Sequence, residues 1–248
     1  MRAFIVGLLV LSTATACTEP PAPAPPPPPP SASPAPLTPP YEPEALMAAV
    51  SAAVKRVDGD ADIRPGEIDT SEGWTGISPC DLTIADPVWD RTLDFEGIWA
   101  SGIEVNPVPS FYDVQQPTIF LDIRVIHLPD PRAADSAARQ VAATKCPTDD
   151  FHLKIGLATA RRAQRTVRLE STSAQVTSAT VQRLNPESEH VVTYLPGEVR
   201  LTFAHGPLLI SVDALALQPR RAHTPAEVTA IAQKRAIAVG VEILQALS

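Results

Sequence analysis

TIFLDIRVIHLPDPRAADSAARQVAATKCP, residues 118 to 147, sets two periodicities back to back. Over Thr118–Leu128 the apolar Ile119, Leu121, Ile123 and Val125 alternate with other residues, and β-branched types dominate, which predicts a half-buried strand. Pro129-Asp130-Pro131 stops that strand. Asp130 can cap a helix with Pro131 at its first position, and Ala134, Ala138 and Val141 carry the helical spacing on to Cys146-Pro147. Downstream, Arg165–Glu170, Gln175–Leu184, His190–Leu195, Glu198–Ala204 and Leu208–Leu217 all read as strands, with Asn-Pro, Pro-Gly and Gly-Pro turns between them. Consecutive strands on tight turns predict an antiparallel meander.

Helices flank this core on both sides. Thr224-Pro225-Ala226-Glu227 supplies a cap, a proline in the first turn and an acid at the third position. Val228, Ile231, Ala232, Val239, Ile243 and Leu247 then continue a helix expected to lie across the sheet. Upstream, Pro43-Glu44 opens an amphipathic helix through Leu46, Val50, Val54 and Val57. Residues 58–118 carry many Gly, Pro, Asp and Ser breaks around short apolar pieces such as Gly97-Ile98-Trp99-Ala100, and read as loops with one or two short strands. The predicted class is therefore α+β: an antiparallel sheet packed by N-terminal, middle and C-terminal helices, with one disulfide.

The first 40 residues belong to a different physical regime. Arg2 is followed by residues 3–11, all apolar or glycine, and then by small residues, the pattern of a secretory signal peptide. That run is shorter than the about 20 residues a membrane span needs. It ends in Ala14-Thr15-Ala16-Cys17, which resembles the lipobox of bacterial lipoproteins. The resemblance implies removal of residues 1–16, a diacylglycerol on the Cys17 thiol and a further acyl chain, such as palmitate, on the new amino terminus. Two or three buried chains hold a protein stably, whereas one holds it marginally. The alternative is ordinary signal-peptidase cleavage with Cys17 a bystander. Of the 28 prolines, 13 fall in Thr18–Pro40, so residues 17–40 are the lipidated cysteine and a proline-rich spacer, and residues 41–248 a single domain. In polyproline II the spacer could reach roughly 70 Å at about 3.1 Å per residue.

Three cysteines are present; with Cys17 lipidated, Cys80 and Cys146 form an even set in an oxidising compartment and are expected to pair. The net charge of −8 becomes −9 once Arg2 is removed, which disfavours nucleic acid as a partner. Histidines at 127, 152, 190, 205 and 223 are never three to five residues apart, so no metal motif emerges. Asp58, Asp60, Asp62 and Asp69 have the spacing of a calcium loop, but Ile63 occupies the position that needs glycine, and a solvated loop is the simpler reading. No serine-nucleophile elbow, zincin motif or glycine-rich phosphate loop occurs, so neither an enzyme nor a cofactor is expected.

Trp74, Trp89, Phe95, Trp99, Phe111 and Tyr112 gather half of the 12 aromatic residues within 39 positions. They either fill the core around the disulfide or line a ligand cleft. Lys154, Arg161, Arg162, Arg165 and Arg168 form a positive segment free of acids, either a docking face for anionic polymers or headgroups or a charged strand edge.

Ser78-Pro79-Cys80-Asp81-Leu82, the segment Val125-Ile126-His127-Leu128-Pro129-Asp130-Pro131-Arg132-Ala133-Ala134, Cys146, and Pro196-Gly197-Glu198-Val199-Arg200-Leu201 together resemble a group of actinobacterial envelope proteins. The group comprises the extracellular sensor domains of mycobacterial serine/threonine kinases and related small lipoproteins. The resemblance spans about residues 78–247 and implies helices on an antiparallel sheet, with a cleft for a small envelope ligand. Those domains generally carry two disulfides, and this chain has cysteines for one beside Cys17. The expected function is thus a lipid-anchored, extracytoplasmic ligand-binding or sensor-like module. The competing readings are a protein-interaction scaffold at the cell surface and an envelope hydrolase.

Overall fold

The alternation in Thr118–His127 becomes strand β5, whose Ile119, Leu121, Ile123 and Val125 are all buried on one face. The computed structural model describes residues 41–70, 75–82, 92–106, 118–152, 158–184, 194–219 and 222–248, all within one compact unit. In chain order the elements are α1 (Pro43–Val57), β1 (Asp62–Pro65), β2 (Thr75–Ile77), β3 (Leu93–Phe95), β4 (Trp99–Asn106), β5, α2 (Pro131–Ala143), β6 (Phe151–His152), β7 (Ala158–Leu169), β8 (Thr172–Leu184), β9 (Tyr194–His205), β10 (Leu208–Pro219) and α3 (Pro225–Leu247). Eight strands form one antiparallel sheet in the order β1-β4-β5-β10-β9-β8-β7-β6, and β2 and β3 pair as a separate ladder.

The meander is β7 to β10. Gly206, at φ +53°, and Pro207 close the β9–β10 hairpin between His205 and Leu208, because glycine enters the left-handed region without a Cβ clash. β10 then pairs on its other edge with β5, so that sequence-distant strand lies inside the sheet between β4 and β10.

Helices cover both faces. On the first, α1 and α3 bury Leu46, Val50, Val54, Val228, Ala232, Val239 and Ile243 against Ile123, Val199, Leu201, Phe203, Ile210 and Val212. The capping box of α3 is formed: the Thr224 hydroxyl accepts from Glu227 N, and the Glu227 carboxylate accepts from Thr224 N at 2.7 Å. On the second face, α2 lays Ala134, Ala137 and Val141 on Ile126 and Leu209 beside Ile77 and Phe95. The Asp130 carboxylate caps α2 by accepting from Ala133 N at 2.9 Å, as its sequence predicts. None of the described helices is long and apolar enough to cross a membrane.

Four expectations are corrected. The two strands read on either side of Pro196-Gly197 are one strand, β9, and that dipeptide is not a turn. The β8 ladder ends at Gly197, so Pro196 lies beyond it, and Gly197 lets α3 approach: a Cβ there would meet Thr229 N at 2.6 Å. The part of the expected strand before Tyr194 lies outside the described residues. Among the described residues of 58–118 there are four strands, not one or two. β4 is a full sheet member whose Trp99, Ser101, Ile103 and Val105 alternate inward, a pattern that Ser101 and Gly102 obscure in the sequence. β7 begins at Ala158 rather than Arg165, because small Ala158 and Ala160 and the side chain of Arg162 are buried there. α2 ends at Ala143, where the extended backbone of Thr144 takes over, with its N–H donated back to Gln140 and Val141.

Candidate functional site

Strand alternation sends the other half of each strand's side chains to the second face, and between α2 and the sheet edge that half is polar. In register across β4, β5, β10, β9, β8 and β7 stand Glu104, Asp122, Asp213, Arg200, Thr177 and Gln164. The adjacent row holds Arg124, Ser211, Thr202, Gln175 and Thr166. Charges buried on a central sheet face are costly unless paired.

Residues 76–80 cross over this face, held by three arginines from three strands. Arg124 Nη1 donates to the Gly76 carbonyl at 3.0 Å, Arg200 Nη1 to the Ser78 carbonyl, and Arg162 Nε to the Cys80 carbonyl at 2.8 Å. Alternate carbonyls of the segment thus each meet a guanidinium, which places the donors at fixed spacing as a neighbouring strand would.

The far end of the segment is covalently closed. Cys80 and Cys146 form a disulfide, with Cα atoms 5.2 Å apart. Gln164 secures the opposite side of the bridge: its Oε1 accepts from Cys146 N at 2.9 Å, and its Nε2 donates to Thr144 O at 3.0 Å.

Arg200 is the electrostatic centre of this arrangement. Its Nε and Nη2 donate to the two Asp213 carboxylate oxygens at 2.6 and 2.7 Å, a bidentate pair. Burial opposes its charge, but the Asp213 carboxylate, with Glu198 and Asp81 nearby, holds the guanidinium protonated well above the ordinary arginine range. For Arg162, 3% exposed, burial lowers the pKa and Asp81 works against that effect. Partial burial and the neighbouring Asp213 push the Asp122 carboxyl up, while Arg124 and Arg200 offset part of the rise and Glu104 adds to it.

Three cavities run together over this floor. One of about 500 Å³ is lined by Arg64, Glu67, Asp69, Glu104, Asp122 and Arg124 among others. A second, of about 220 Å³, lies between Ser78, Asp81, Thr92, Arg200, Ser211 and Asp213. A third, of about 200 Å³, shares Glu104, Asp122 and Asp213 with the other two and adds Glu198. Shared walls make them one polar groove.

The residues singled out from sequence are placed differently. Phe95 is 8% exposed and belongs to the core under α2, whereas Trp99 is 5% exposed in the core of the first face, its ring stacked on His127 at 5.5 Å. The structure therefore does not bring these two together, and neither lines the groove. Trp74, Trp89, Phe111, Tyr112 and Cys17 lie outside the described residues. Of the positive segment, Arg161 pairs with Asp150 at 2.8 Å, Arg162 is the buried clamp on Cys80, and Arg168 donates to Ser171 O at 3.3 Å; Lys154 lies outside the described residues.

The aspartates of 58–69 diverge. Asp58 meets Arg235 at 3.3 Å, Asp62 meets Arg64, and Asp69 bridges through its backbone to Ala100. Among the described residues no three carboxylate, imidazole or thiol groups are placed to hold a metal ion.

Sequence reasoning missed Glu104, Asp122, Arg124, Arg200, Ser211 and Asp213. A signal existed in the sequence: Asp213 is the one charge within the apolar run Leu208–Leu217, and Arg200 follows Glu198 by two in the facing strand.

No protein-family model matches the chain, and neither does any curated protein. Among solved structures it is similar to the extracellular domain of PknH from Mycobacterium tuberculosis, at 15% identity and a TM-score of 0.48, over 83% of this chain and 97% of that one. It is also similar to the Rv0999 ortholog of Mycobacterium smegmatis, an uncharacterized protein, at 10% identity and a TM-score of 0.43, over 81% of this chain and 96% of the other.

Proposed function

We propose that this protein is a membrane-anchored extracytoplasmic lipoprotein whose folded domain is a non-enzymatic, ligand-binding or sensor-like module of the cell envelope. The observation that carries the reading is the polar groove on the second face. Its cavity of about 500 Å³ falls within the size range of small-molecule sites, and the segment 76–80 that crosses the sheet beside it is held by three arginine clamps and a disulfide. Its described walls carry carboxylates, guanidinium groups and hydroxyls but no histidine or thiol, a set suited to holding a charged ligand more than to activating a nucleophile. The Cys80–Cys146 bridge fits an oxidising compartment, and the apolar run ending at Cys17 supplies the export signal and anchor.

Fractionation and mass spectrometry of the full chain test both halves. The native chain is expected in the membrane fraction and Cys17→Ala in the soluble one, and detergent-extracted protein is expected to carry a small molecule. Retention of Cys17→Ala in the membrane would refute the anchor. A stoichiometric protein in place of a small molecule would favour the scaffold reading.

A further inference from the structure

One arrangement in the groove serves neither the clamping of residues 76–80 nor the stability of the sheet. Glu104 on β4, Asp122 on β5 and Asp213 on β10 stand directly opposite one another, three carboxylates in one row. Residues so paired have Cβ atoms about 4.5–5.5 Å apart, and like charges there repel. Asp213 is neutralised by Arg200, but Glu104 and Asp122 make no hydrogen bond or ion pair with any described residue. Arg64 on β1 stands opposite Glu104 in register, but its guanidinium meets Asp62 at 3.1 Å, and Arg124 Nη1 is held by Gly76 O.

A second observation points to a ligand independently. Ser211 lies on β10 opposite Arg124, lines the adjoining cavity and is 4% exposed, yet its Oγ has no hydrogen-bond partner among the described residues. Buried hydroxyls are nearly always partnered. Ser211 is the diagonal neighbour of Asp122, which sets the two side chains about 7–8 Å apart.

We propose that the groove recognises a small zwitterion, whose protonated amine lies between Glu104 and Asp122 and whose carboxylate meets Ser211 Oγ and the remaining N–H groups of Arg124. This rests on the groove being the ligand site and adds the ligand's chemical class. The amine relieves the repulsion in the carboxylate row, and the carboxylate gives the serine hydroxyl an acceptor. The separation suits an amine and a carboxylate joined by an alkyl chain of about five methylenes, matched to that 7–8 Å diagonal.

Calorimetric titration of the full chain in detergent tests this with 6-aminohexanoate, hexylamine and hexanoate. The expected order is 6-aminohexanoate tightest, hexylamine weaker by about tenfold and hexanoate undetectable. Glu104→Gln with Asp122→Asn should weaken both amine-bearing probes by about tenfold or more, and its melting temperature should rise as the repulsion is removed. Ser211→Ala should weaken 6-aminohexanoate alone. Hexanoate binding as well as 6-aminohexanoate, no binding of either amine at millimolar concentration, unchanged binding by the double variant, or displacement of the probe by micromolar Ca²⁺ would each overturn the proposal. A copurified molecule without an amine would also overturn it while leaving the ligand-binding reading intact.

Discussion

Arg200 illustrates how a single side chain on this face serves two tasks at once. Its bidentate pair with Asp213 neutralises a charge on a central strand, while its free Nη1 holds the Ser78 carbonyl above the sheet. Both side chains of the pair are about 85% buried. Removing one partner of such a pair leaves an uncompensated charge, whereas replacing both with apolar residues is far milder. Arg200→Ala is therefore expected to lower the unfolding free energy by about 3 kcal/mol in urea titrations, and Arg200→Met with Asp213→Leu by much less. Equal losses in the two variants would show that packing of Arg200, not its charge, is what matters. Asp122 carries the opposite sign. Its folded pKa is raised, so the folded chain binds more protons than the unfolded chain between the two pKa values, and stability contributed at this site increases as pH falls through that window.

At the scale of elements, local chemistry and tertiary packing agree for most of the chain and disagree at identifiable places. β5, α2 and α3 form where alternation, Asp130 and the Thr224–Glu227 box put them. β9 ignores the strongest turn dipeptide in its segment, because Gly197 is used for close approach to α3 and Pro196 lies past the end of the β8 ladder. Gly197→Ala would drive a methyl into the α3 backbone at Val228 and Thr229, atoms that cannot rotate away as a side chain could. An overpacking loss of about 2 kcal/mol is expected, read as a lowered midpoint in thermal or denaturant unfolding. An unchanged midpoint would mean that α3 is free to shift outward. β4 and the start of β7 were illegible for a related reason: Ser101, Gly102 and Arg162 look like solvent-facing or breaking residues until neighbouring strands and the 76–80 segment cover them.

Across the whole molecule, one sheet separates an apolar face under α1 and α3 from a second face that is apolar under α2 and around Leu82, Ala160 and Val181, and charged between them. The Cys80–Cys146 bridge closes a 66-residue separation over that charged part. On the chain-entropy estimate its loss in Cys80→Ser with Cys146→Ser costs about 4 kcal/mol, and the arginine clamps would then be the main restraint on residues 76–80. Faster amide exchange at Ser78–Asp81 in that variant, with β9 and β10 still protected, is the expected signature; uniform loss of protection would mean the bridge holds the entire fold. The sequence by itself determined the α+β class, the caps of α2 and α3, the strand β5 and the pairing of Cys80 with Cys146, because those depend on local periodicity, capping chemistry and counting. Only the tertiary structure decided that Glu104, Asp122, Arg124, Arg200, Ser211 and Asp213 share one groove. They come from strands up to about a hundred residues apart in the chain, and only strand register, which no local pattern records, brings them opposite one another.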